Sequence, residues 1–97
     1  MMSDATLLEV NLVAADHPVW SGKAKSATIP AADGVMGILP DHEPVLTLID
    51  AGRVVLVDAE NVRHMFEVTD GFISFDSNRL TIAVERGRDV VITKDSD

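Results

Sequence analysis

Ninety-seven residues, 46% apolar and 25% charged with a mean hydropathy of +0.18, describe one folded domain; no apolar run approaches the ~20 residues that a bilayer-spanning helix needs. A net charge of −8 and a pI of 4.6 argue against nucleic acid and anionic lipid as partners and point to a basic one. Zero cysteines exclude a disulfide framework and thiolate metal sites, and with Asp4 and Glu9 interrupting any signal-like opening the expected compartment is the cytoplasm.

In chain order, period-two alternation broken by turn residues predicts roughly nine or ten short strands. The first, over 5–13, turns Leu8, Val10 and Leu12 one way and Leu7, Glu9 and Asn11 the other. Short strands over 18–20 and 23–29 are expected on either side of Ser21-Gly22, followed by 34–38. Next comes Leu39-Pro40-Asp41-His42-Glu43-Pro44, where prolines fix φ and bias their predecessors toward extended geometry, so the segment reads as a shaped, partly rigid protrusion. Strands over 45–49 and 52–58 are apolar on both faces, which in a two-layer domain requires one face to meet something other than water. Asp58-Ala59-Glu60-Asn61 is a hairpin connection into 62–68, where Val62, His64, Phe66 and Val68 share a face. Strands over 71–76, 79–85 and 89–93 complete the series, separated by Asp76-Ser77-Asn78 and Arg86-Gly87-Arg88-Asp89. No window carries helical spacing, and Val, Ile and Thr dominate the elements. The fold expected is an all-β, flattened antiparallel β-sandwich of two roughly five-stranded sheets, a single domain over 1–94 with a frayed end at 95–97.

Catalytic chemistry finds no footing. His17, His42 and His64 lack the i, i+2 or i, i+4 spacing that sets two nitrogens on one metal. His64 falls in the apolar register of its strand and is expected to be buried and hydrogen-bonded. His42, between Asp41 and Glu43, suits a contact better than a reaction. No serine lies in a strained elbow, and Gly34-x-x-Gly37 leads into an apolar run with no Gly-Lys-Ser/Thr, so no phosphate loop is present. Catalytic, cofactor-binding and metal residues are all expected to be none.

The run Gly34-Val35-Met36-Gly37-Ile38-Leu39-Pro40-Asp41-His42-Glu43-Pro44-Val45-Leu46 through Gly52 resembles the signature of the epsilon subunit of F-type ATP synthases. Leu8 to Val13, Trp20-Ser21-Gly22 and Gly71-Phe72 stand at the spacing of that family. The resemblance implies a sandwich of two five-stranded sheets in the central rotor stalk, non-catalytic, coupling rotation of the membrane c-ring to the gamma shaft so that an ion gradient drives ATP synthesis. It implies the gamma subunit and c-ring as partners, with neither nucleic acid nor direct lipid insertion, and a peripheral position on the cytoplasmic side of a bacterial cell membrane. Ring-facing loops carry over to Asp33, Gly34, Val35 and Met36 and to Asp41, His42 and Glu43; gamma-facing residues carry over to Val19 and Trp20. Acidic loops would complement basic ring loops, each exposed pair contributing only about 0.2–1 kcal/mol. The family usually continues into two C-terminal helices that restrain hydrolysis, and their absence from these residues leads to the expectation of a subunit without that brake. The alternative reading is a freestanding β-sandwich module binding a small ligand or peptide, with His42 at its mouth.

Overall fold

A computed structural model describes residues 6–31 and 34–90. Nine strands follow in order: β1 Leu8–Ala14, β2 His17–Ala31, β3 Gly34–Ile38, β4 Val45–Ile49, β5 Gly52–Asp58, β6 Arg63–Val68, β7 Gly71–Asp76, β8 Arg79–Val84 and β9 Gly87–Asp89. No helix occurs among the described residues. The expected bounds of 34–38, 45–49, 52–58 and 71–76 are those observed, each set by Gly, Pro or Asp at its ends. The last strand begins two residues earlier than expected and is short; its expected continuation over 91–93 and the frayed end at 95–97 lie outside the described residues.

The long strand β2 organises the sandwich. Its first half pairs with β1, from Leu8↔Ala24 to Ala14↔His17. Its second half pairs with β5 on one side and β3 on the other. One layer therefore runs β2-β1-β8-β7-β4 and the other β9-β6-β5-β2-β3, and β2 crosses between them at a register shift around Lys25, where an extra residue bends the strand. Every pairing is antiparallel except β1 with β8, which is parallel from Glu9↔Arg79 to Ala14↔Val84. The extents of 39 × 39 × 26 Å give the flattened form.

The expected separation of 18–20 from 23–29 is corrected: Ser21, Gly22 and Lys23 pair in unbroken register with Asn11, Val10 and Glu9. Gly22 is not a turn residue. A Cβ there would stand 3.0 Å from the Trp20 ring, so the glycine makes room for the indole across the strand. The irregularity falls instead at Val19, left unpaired between Pro18 and Trp20.

Alternation resolves as expected in β1, β7 and β8, but Val62, expected on the inner face of its strand, precedes β6 and is 49% exposed. Leu8, Val10 and Leu12 of β1, Ile73 and Phe75 of β7, Leu80 and Ile82 of β8, Val54 and Leu56 of β5 and Phe66 of β6 form a closed apolar core, with no buried polar side chain among the described residues. At about 25 cal/mol per Å² of apolar surface removed from water, this interior is the main stabilising contribution.

Candidate partner-binding surfaces

Of the two strands that read as apolar on both faces, β5 is covered and β4 is not. Val55 and Val57 are half-buried on the outer side of their sheet, beside Met65 and Arg63 across the ladder. Leu46 and Leu48 are 77% and 72% exposed. Leu48 lies opposite Phe72, itself 44% exposed. Phe72 is opposite Ala83, and Ala83 opposite Val13. These pairings line up Leu48, Phe72, Ala83 and Val13 as one apolar row across four strands, with Leu46, Ser74, Thr81 and Asn11 forming the row beside it. Isolated exposed leucines are ordinary, but a continuous apolar row across a sheet is a candidate docking face. The sequence marks β4 and β5 alike and gives no sign of the row, which needs the register of β7, β8 and β1.

The Gly/Pro connection between β3 and β4 is sewn to the body. His42 N–H donates to Leu39 carbonyl at 3.1 Å, closing a turn with Pro40 at its second position and Asp41, at φ 68°, at its third, which is the type II pattern. Asp41 N–H donates to Asn78 Oδ1 at 2.6 Å and Asn78 Nδ2 returns a bond to Asp41 Oδ1 at 3.1 Å. His42 Nδ1 lies 2.8 Å from the Glu43 carbonyl, and its ring meets Phe75 edge-on at 5.9 Å. Glu43 is exposed. Asn78 is the residue missed from sequence, where it reads only as part of a turn.

Of the other segment, Asp33 lies outside the described residues. Gly34 has φ 124°, a conformation a side chain rarely adopts. Val35 is 76% exposed, while Met36 packs against the core. Gly34, Val35 and Met36 are the first three residues of β3, whereas Asp41, His42 and Glu43 lie in the turn beyond its last residue, so the length of the strand, about 13 Å at the rise of an extended chain, separates Gly34 from that turn. Among the described residues β3 pairs only with β2, which leaves its far edge open.

Val19 and Trp20 are half-buried against the core. The Trp20 ring tilts onto His64 at 5.2 Å. His64, expected to be buried, is 26% exposed at its side chain, with Trp20 against one face of its ring. Its Nε2 lies 2.9 Å from Asp58 Oδ2. That bond, with those from the Val62 and Glu60 amides, holds the Asp58 carboxyl below its ordinary 3.8. Among the described residues no group of three or more His, Asp or Glu side chains is placed to hold a metal ion.

Residues 7–88 match the family described as ATP synthase, Delta/Epsilon chain, beta-sandwich domain. The chain belongs to that family. It is 37% identical over 81 residues to the ATP synthase epsilon chain of Streptomyces avermitilis, covering 84% of this chain and 65% of that one. It is 36% identical over 85 residues to the epsilon chain of Corynebacterium diphtheriae, covering 87% and 67%. The fold matches a chain in a structure of the Euglena gracilis mitochondrial ATP synthase, OSCP/F1/c-ring, with TM-score 0.82 and 16% identity over 87% of this chain and 54% of that one. A chain of the Tetrahymena thermophila mitochondrial ATP synthase central stalk/c-ring matches with TM-score 0.70 and 18% identity, over 90% and 69%. This chain thus spans about two thirds of the length of its bacterial relatives.

Proposed function

We propose that this chain is the sandwich part of a non-catalytic epsilon-type subunit in the central stalk of a rotary ATP synthase, coupling rotation of the c-ring to the gamma shaft. The observation that carries this reading is the apolar row of Leu48, Phe72, Ala83 and Val13 on an otherwise acidic domain of the ATP synthase family. That row faces the shaft. Val19 and Trp20, engaged in the core seam, contribute at most their open edges to the contact. The open edge of β3 faces the ring, so that Gly34, Val35 and Met36 along it and Asp41, His42 and Glu43 beyond its end both reach it. The mechanism is mechanical: a short-looped sheet sandwich is stiff enough to hold shaft and ring in a fixed relation while torque passes. The names of its bacterial relatives support a peripheral position on the cytoplasmic side of a bacterial membrane.

Gradient-driven ATP synthesis in inverted membrane vesicles tests the role. Vesicles stripped of this polypeptide are expected to lose most synthesis and regain it on its addition. An undiminished rate in the stripped vesicles would contradict the assignment.

A further inference from the structure

The ends of β5, β6 and β9 and the β1–β2 turn line an open groove of about 960 Å³. Its lining gathers three arginines of this acidic chain, Arg53, Arg86 and Arg88. The sheet register sets two of them on either side of one carboxylate: Arg53 lies opposite Glu67, and Glu67 opposite Arg88. Arg88 Nη2 and Nε donate to Glu67 Oε1 at 2.8 and 3.2 Å, and Arg53 Nη2 lies 3.5 Å from Oε2. These contacts hold the Glu67 carboxyl below its ordinary 4.5, with Arg88 the main cause. Arg86 is fixed through its backbone, which exchanges bonds with Thr69 at 2.9 and 3.0 Å. Its guanidinium makes no ion pair within 4.0 Å among the described residues. The other carboxylate of the lining, Asp16, is turned to His17 at 2.6 Å.

We propose that this groove binds a compact phosphate-bearing anion. Three arginines against the two carboxylates Asp16 and Glu67 leave the lining with an excess of positive charge, and guanidinium forks match phosphate oxygens in pairs. Its volume falls within the about 300–1,000 Å³ typical of small-molecule sites. Ala51, Gly52, Val68 and Gly87 complete the lining with apolar surface on which an organic group carrying the phosphate would rest. An extended acidic partner fits less well, because exposed Asp50, Asp70 and Glu85 flank the lining segments in sequence and the whole chain carries −8. A small anion is repelled far less, since those charges are screened beyond about 8 Å at physiological salt.

Titration calorimetry of the 97-residue chain with pyrophosphate, with a nucleoside diphosphate and with a glutamate-rich peptide tests the site. Saturable one-to-one binding of pyrophosphate is expected, weakening as salt rises. Arg86→Ala is expected to weaken it by about tenfold or more, the loss of a charge-assisted bond, and Arg53→Gln to act in the same direction. Arg79→Ala, at the opposite end of the sandwich, is expected to leave it unchanged. Tighter binding of the nucleoside diphosphate identifies a nucleotide as the carrier, and equal binding identifies free polyphosphate. The proposal is overturned by absence of saturable phosphate binding, by binding that Arg86→Ala leaves intact, or by binding of the peptide alone.

Discussion

Asp41 illustrates how a single side chain elsewhere can hold a loop. A non-glycine residue at φ 68° carries a steric cost, and here two bonds with Asn78 offset it. Asn78 is itself at φ 63°. Asn78→Ala, which loses both bonds and strains its own backbone, is expected to lower unfolding free energy by about 1–3 kcal/mol. Asn78→Gly loses only the bonds and is expected to cost less, a difference that parallel urea titrations resolve. The same contact separates the two loop carboxylates: Asp41→Lys carries a stability cost, whereas exposed Glu43→Lys does not and is the cleaner probe of ring contact. Asp58 sets a pH dependence. Its folded pKa is depressed by His64 and the Val62 and Glu60 amides, so its contribution is complete above the unfolded value and is lost as pH falls through the folded one. Melting temperature is therefore expected to fall as pH drops below about 4, with Glu67 and Asp16 acting in the same sense. Asp58→Asn should flatten part of that fall; an unchanged slope would assign the acid sensitivity elsewhere.

Among the elements, β7 and β8 depend on a glycine with no conformational role. A Cβ at Gly71 would lie 2.0 Å from the Ala83 carbonyl oxygen and 2.8 Å from Val84 Cα. Backbone cannot yield as a side-chain tip does, so Gly71→Ala is expected to cost about 3 kcal/mol or more, read as a shift in denaturation midpoint. Gly34→Ala meets no neighbour and is opposed only by its φ. Much of this architecture is legible in sequence because burial of one face forces alternation, as Leu80, Ile82 and Val84 show against Arg79, Thr81 and Ala83. Continuity of β2 is not, because Gly22 reads as a breaker until Trp20 is seen to lie over it. The parallel pairing of β1 with β8, the clamp of Asn78 on Asp41 and the arginine groove all depend on register between segments distant in the chain, which local pattern does not carry. Leu46 and Leu48 are a middle case: their strand announces an unpartnered face, and only the assembled sheet supplies Phe72, Ala83 and Val13 beside them.

At the scale of the molecule, surface chemistry is divided among faces. One outer face is an apolar row, one sheet edge ends in acidic and Gly/Pro segments, and one end gathers arginines. A closed core beneath lets these faces act without changing shape, which is what a coupling element between two moving bodies requires. In the proposed role the β4–β7 face docks on the shaft. Size-exclusion of this chain with purified gamma subunit, comparing it with Leu46→Asp/Leu48→Asp, tests this most directly, because both side chains are exposed and their replacement should leave the melting temperature nearly unchanged. The original chain is expected to comigrate with gamma, as an interface above about 1,000 Å² would, and the folded double variant to elute alone. Comigration of that folded variant as complete as that of the original would contradict the account.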